Sequence, residues 1–300
     1  MKNLLLALKM ILFLCGCNLI NADGRNNAEL ENQLLTYIQG KDARIGLAVI
    51  IDDRDTVSVN GQKEYPMMSV FKFPLALAVA RTIDLNGKSL DETVDICADD
   101  MKENTWSPMR EKYGRESITL SIRELLEWSL KQSDNNAADI LIKYVGGTEN
   151  VSALMHDMNF PEEIVISVTE DDMHRVPFLC YRNLSTPIAM AELFNRFNRL
   201  YRNQSHTCSE IALMLEECNT GRDRLAAPFI GSGVIVGHKT GTGDSLVPGR
   251  ISAINDCGYI NLPNGMSYTI AVFVADSAYG MSETSAIIAD ISEIVYGHIR

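Results

Sequence analysis

The sequence is poor in the residues that build metal and redox sites. Its five histidines, at 156, 174, 206, 238 and 298, form no close ligand cluster, so neither a metal nor any other cofactor is expected. Seven cysteines sit at 15, 17, 97, 180, 208, 218 and 257. Two lie in the first twenty residues, and the other five show no close-paired spacing, which argues against a metal or dithiol framework. An odd number cannot all pair within one chain, so these thiols serve as well as small buried hydrophobes as in one disulfide. Basic charge is also scarce. There are 27 Lys and Arg against 39 Asp and Glu, a formal net charge of −12. That balance argues against broad binding to nucleic acid, and no nucleotide-binding loop is present. Internal repeats and low-complexity tracts are lacking too.

What the chain does have is apolar residues, 46% of 300, too many for disorder and enough for one large domain or two closely joined ones. The opening, MKNLLLALKMILFLCGC, sets Lys2 and Lys9 around an apolar run too short to span a membrane comfortably. It reads as a signal peptide. Cleavage after Ala22 would give a soluble protein; the stretch Leu14-Cys15-Gly16-Cys17 resembles a lipoprotein box with Cys17 lipidated. Either removal takes the formal charge from −12 to −14. A periplasmic monomer is expected, soluble or lipid-anchored.

Leu30, Leu34 and Ile38 recur at four-residue spacing and predict a helix that Gly40 ends. Arg44 to Ile51 and Thr56 to Val59 read as a hairpin turned at Asp52-Asp53-Arg54. The middle is helical in pattern, over 69–84, 119–131, 134–144, 150–157, 188–202 and 207–217, with a long irregular stretch at 158–187. A loop of that size is usually functional or mobile. Three strands follow, at 234–240, 252–261 and 266–275, and a last helix at 282–296. Five strands with the terminal helices on one face make a stable layer arrangement. The expected fold is α/β plus all-α: residues 23–65 and 213–300 form the α/β domain, and 66–212 an inserted all-α domain.

Three short segments carry chemistry. Ser69-Val70-Phe71-Lys72 starts a helix, and the spacing of three puts Ser69 and Lys72 on one face. A serine hydroxyl needs a base to become a nucleophile, and a partly desolvated lysine can serve. The helix start also offers backbone N–H groups to an oxyanion. In Ser133-Asp134-Asn135, Ser133 can pass a proton to a leaving nitrogen, Asn135 can bond a substrate amide, and Asp134 braces the turn. In His238-Lys239-Thr240-Gly241-Thr242-Gly243, Lys239 offers positive charge on a strand edge, and Gly241 permits close approach of a substrate. Each segment alone recurs by chance.

Together and in this order, they resemble the signature of the class A β-lactamases and penicillin-binding proteins. That resemblance implies a β-lactamase/DD-peptidase-like fold, with a five-stranded antiparallel sheet flanked by helices and the site between sheet and helical insert. Val168-Thr169-Glu170-Asp171-Asp172-Met173-His174 resembles the omega-loop segment that carries the class A general base, which makes Glu170 the residue that activates water for deacylation. His174 stands where an asparagine usually helps hold that water. The usual arginine–aspartate pair across the loop neck is absent, with Val168 and Asn183 near those places, so the loop is held differently or is more mobile. These features, with Tyr65-Pro66-Met67-Met68 and Gly237-His238, are similar to class A cephalosporinases of Bacteroides and relatives, including extended-spectrum members.

The resemblance implies Ser69, Lys72, Ser133 and Glu170 as catalytic residues. It implies Trp106, Asn135, His174, Arg224, Lys239, Thr240 and Thr242 around the substrate, with Arg222 the fallback for Arg224. The backbone N–H groups of Ser69 and Thr242 would form the oxyanion hole. The implied partner is a small β-lactam, opened through a serine acyl-enzyme, with antibiotic resistance as the outcome. The alternatives are a penicillin-binding DD-peptidase or β-lactam sensor, and a non-enzymatic binding lipoprotein.

Overall fold

A computed structural model describes residues 27–300. The expected signal peptide and Cys17 lie outside the described residues. Helix α1 (Asn27–Ile38) buries Leu30 and Leu34. Strands β1 (Arg44–Ile51) and β2 (Asp55–Val59) follow as a hairpin whose turn residues Asp52 and Asp53 both have positive φ, 46° and 60°. That geometry suits the right-handed strand twist. The C-terminal third adds β7 (Ile235–Thr242), β8 (Ile251–Asn261), β9 (Ser267–Ser277) and α10 (Met281–Ile299). The sheet order is β2-β1-β9-β8-β7, antiparallel throughout, so the two ends of the chain meet at the β1–β9 pair. Strand β7 is an edge, and it carries Lys239 and Thr240.

Alternation along the strands gives the sheet two buried faces. Leu47, Val49, Ile270, Val272 and Val274 face one core with Leu30 and Leu34 of α1 and Ile288, Ile291 and Val295 of α10. Ala48, Tyr259, Ala271 and Phe273 face the other core, with the helical layer. Sheet and insert therefore share one continuous core, and residues between them are held from both sides.

The helical layer contains α2 (Lys72–Asn86), α3 (Pro108–Tyr113), α4 (Ile122–Lys131), α5 (Asn135–Val145), α6 (Thr148–Asp157), α7 (Glu170–Arg175), α8 (Pro187–Arg196) and α9 (His206–Glu216). It is not purely helical. Residues Tyr65–Pro66 (β3) pair with Leu184–Ser185 (β6), and Thr93–Ile96 (β4) with Ile118–Ser121 (β5). The helix expected from residue 119 thus begins at Ile122. Ile118 and Leu120 alternate as a strand, and Ser121 with Glu124 forms a capping box that fixes the helix start. The helix expected over 188–202 leaves α geometry at Phe197 in a π-helical turn. The long stretch before residue 187 is not irregular throughout: it holds α7 and a 3-10 turn, Pro177–Arg182.

All five cysteines in the described residues are free, four of them buried, as small hydrophobes would be. No helix there is long and apolar enough to cross a membrane, and no cluster there could hold a metal ion.

Candidate active site

A cleft of about 490 Å³ opens between the β7 edge and the helical layer. Three segments distant in sequence meet there. Ser69 lies in a 3-10 turn, Met68–Phe71, that runs into α2. Met68 before it has φ +47°, and Ser133 has φ +57°. Non-glycine residues in the left-handed region are costly, and such strain collects at functional sites. Gly241 on β7 packs against the Ser69 turn. A Cβ there would sit 2.5 Å from the Met67 carbonyl oxygen. Close packing, beyond any approach of substrate, therefore requires glycine at that position.

Lys72 is fully buried. Its Nζ donates to the Ser133 carbonyl (2.8 Å) and to Asn135 Oδ1 (2.6 Å), and pairs with Glu170 Oε1 at 2.9 Å. The Ser69 hydroxyl donates to the same Glu170 Oε1 at 3.3 Å. One carboxylate oxygen is thus shared by the hydroxyl and the ammonium. Lys239 is also fully buried, and its Nζ donates to Ser133 Oγ and to the Thr240 carbonyl, each at 2.9 Å. Burial drives its pKa down to about 7, while Cys218 and other anions pull against that fall. Ser133 therefore stands between two lysines, with Lys72 on its carbonyl and Lys239 on its hydroxyl. Such an arrangement can take up and release a proton.

Other expected residues are placed as follows. Asn135 sits at the start of α5 and donates from Nδ2 to Thr105 Oγ1 at 2.8 Å. Asp134 caps α5 through Ala137 N–H and accepts from Ser107 Oγ and Met109 N–H, so it braces the turn. Trp106 is 58% exposed at the mouth, with Nε1 donating to the Gln132 carbonyl. His174 lines the cleft as an exposed side chain on α7. Thr240 and Thr242 line it too. Arg224 is buried behind the β7 edge, where its guanidinium donates to the Gly241 and Asn255 carbonyls and, at 2.7 Å, to Thr242 Oγ1. Lys239 and Arg224 thus stand beneath the cleft wall, and Thr242 Oγ1 carries the arginine's contact to the surface. Arg222 is exposed and has no part in this network.

The loop that carries Glu170 is held firmly. Val165 and Leu184 bond each other's backbone at its neck. Asn183 is fully buried. Its Oδ1 accepts from Ser167 N–H (2.9 Å) and Val168 N–H (3.1 Å), and its Nδ2 donates to the Val168 carbonyl (3.0 Å). One amide does the fastening expected of an ion pair. Thr169 and Asp172 form a capping box on α7. Asp139 adds two contacts, accepting from the N–H groups of Glu170 and Asp171 at 2.8 Å each. Burial and the nearby Glu170 charge push the Asp139 pKa up to about 7.

Asp139 escaped the sequence reading. Its signal was there: it lies four residues after Asn135, on the same face of α5. Thr220 was also missed. It lines the cleft and shares a 2.5 Å hydrogen bond with Thr240 Oγ1.

A sheet-edge lysine, a serine at a helix start and a carboxylate on a fastened loop define a class: the active-serine β-lactam-recognising hydrolases, in their class A arrangement. Comparison narrows this to a family. Residues 29–299 match the model of the beta-lactamase enzyme family. The chain is 38% identical over 293 residues to a β-lactamase of Bacteroides uniformis, covering 97% of each chain. It superposes on a class A β-lactamase from Bacteroides cellulosilyticus with TM-score 0.86 and 36% identity, over 91% of this chain and 98% of that one. It superposes on the TLA-1 extended-spectrum β-lactamase with TM-score 0.87 and 34% identity, over 91% and 99%. The chain belongs to the class A β-lactamase family, with the serine hydrolytic activity on β-lactams that defines it.

Proposed function

We propose that this protein is an extended-spectrum cephalosporinase that also opens penicillins and confers antibiotic resistance from the periplasm after removal of its signal peptide, soluble if cut after Ala22 or lipid-anchored if cut before Cys17. The observation that carries the mechanism is the shared Glu170 oxygen, 3.3 Å from Ser69 Oγ and 2.9 Å from Lys72 Nζ. The subgroup reading is supported by similarity to the TLA-1 enzyme and to Bacteroides β-lactamases.

The substrate carboxylate lies toward Thr240 and Thr242, drawn by Lys239 and Arg224 behind them. The lactam carbonyl points at the backbone N–H groups of Ser69 and Thr242. Trp106 stacks on the acyl side chain at the mouth, and Asn135 bonds its amide. Ser69 gives its proton to the base and attacks the carbonyl carbon. That base is Lys72 or, directly or through water, Glu170, whose Oε1 the Ser69 hydroxyl and the Lys72 ammonium share, so acylation does not depend on Glu170 alone. The C–N bond breaks, and the leaving nitrogen takes its proton from Ser133, which Lys239 holds. The proton taken from Ser69 returns by way of Lys72 to Ser133, and Glu170, again a carboxylate, deprotonates a water, held also by His174, that hydrolyses the ester.

The test is to mix the purified protein with a chromogenic cephalosporin and follow turnover and covalent mass together. Repeated turnover is expected. Stoichiometric, lasting acylation would instead define a DD-peptidase or sensor, and no reaction a capture protein.

A further inference from the structure

Behind the β7 edge, three ionisable side chains that the mechanism does not use form a buried row. Asp256 on β8 is fully buried. Both its oxygens face His238 Nδ1, at 2.9 and 3.0 Å, and it also accepts from Leu225 N–H. His238 is almost wholly buried, and Cys218, buried as well, stands near enough for its charge to act on the imidazole. That sulfur lies 3.3 Å from Thr220 Oγ1, which bonds Thr240 Oγ1 in the cleft wall. The row thus runs from the sheet interior to the place where the substrate carboxylate would sit.

Lys239 gives the row its purpose. Lys72, the other buried lysine of the site, has a carboxylate in contact. The hydrogen bonds of Lys239 go to a hydroxyl and a carbonyl, both neutral. A buried ammonium with only neutral partners tends to lose its proton. We propose that Cys218, His238 and Asp256 act together as positioning residues, a thiolate–imidazolium–carboxylate row whose net negative charge keeps Lys239 cationic for the substrate. This rests on the β-lactam reading of the cleft.

The surrounding charges agree in sign. Cys218 faces His238 and Lys239; although burial pushes its pKa up, these two bring it down to about 6. Burial pushes His238 down, yet Asp256 and Cys218 raise it to about 10. Around Lys239, Cys218, Asp256 and Glu170 favour the cation and Lys72 opposes it. Arg224 faces Asp256, Asp223 and Cys218. Burial pushes Cys180, Cys208 and Cys257 upward instead, so Cys218 stands apart from them.

The test titrates thiolate ultraviolet absorption in the native protein against Cys218→Ser, and measures KM for an anionic β-lactam across pH in both. A thiolate forming near pH 6 and missing from Cys218→Ser is expected. The serine variant should also lose substrate affinity at a pH lower by about 1 unit, with kcat at saturation little changed, because Lys239 loses an anion nearby. Cys218→Asp, which restores an anion, should return the limb toward its native position. A thermal melt shows whether each variant is folded. A Cys218 that titrates in the ordinary thiol range overturns the proposal, as does a KM profile of Cys218→Ser that superimposes on the native one. A protein that hydrolyses no β-lactam overturns the reading of the cleft and the role in KM, while the thiolate titration still decides whether the row is ionised.

Discussion

Replacing Asn183 by alanine should unfasten the loop that carries Glu170. The side chain is fully buried and makes three hydrogen bonds to Ser167 and Val168. Its removal leaves two N–H groups and one carbonyl without their partner. A buried polar group left unpaired costs about 1–3 kcal/mol. Ser167 is exposed and Val168 half-buried, so water can re-enter and each group falls at the low end. The sum is about 3 kcal/mol, which for a domain of this size lowers Tm by about 6 °C or more. The kinetic effect should be unequal. The Ser69 turn is held by α2 and β7, so acylation survives, while Glu170 loses its placement and deacylation slows. Thermal unfolding and mass spectrometry of the enzyme during turnover read the two effects separately. Asn183→Asp keeps both N–H contacts but sets a carboxylate against the Val168 carbonyl, and should fall between the two. A Tm within about 1 °C of the native value, with unchanged deacylation, would refute the reasoning.

Asp139→Ala removes both acceptors from the start of α7 but also removes a carboxylate that burial disfavours, so its Tm should fall less than that of Asn183→Ala. Because the folded pKa of Asp139 is raised to about 7, native stability should decline as pH rises from the ordinary carboxylate range toward 7, and Asp139→Ala should flatten that slope in a Tm–pH series. Gly241→Ala drives a Cβ into the Met67 carbonyl and displaces the Ser69 turn; kcat/KM should fall by about 100-fold, more than stability alone explains, as steady-state kinetics and a melt would show. For an anionic substrate, kcat/KM should decline as pH rises through about 7, because Lys239 loses its proton there. Lys239→Arg, whose charge does not titrate in that range, should remove this limb whatever its effect on the rate.

The strands were legible because their alternation and apolar runs are long; β1 runs from Arg44 to Ile51 as its pattern predicts. The two-residue pairing of Tyr65–Pro66 with Leu184–Ser185 left no periodic trace, being set by tertiary contact alone. The strand at 118–121 was absorbed into the following helix because four residues fit either period. In the site, the residues that carry chemistry stood out as short motifs with fixed spacing. The residues that hold them did not. Asp139 and Asn183 act through backbone groups of other segments, a role that side-chain type does not reveal. The absence of an ion pair at the loop neck was readable; that one asparagine amide replaces it was visible only in three dimensions. Lys239 read as a cleft residue, yet burial places it behind the wall, where Arg224 was expected and is found.

Hydrolysis of the acyl-enzyme turns on Glu170 as the group that delivers water to it. Glu170→Ala, mixed with a chromogenic cephalosporin and followed by intact-protein mass, should give one equivalent of product and then a persistent adduct on Ser69. Continued turnover at the native rate with no adduct would contradict it.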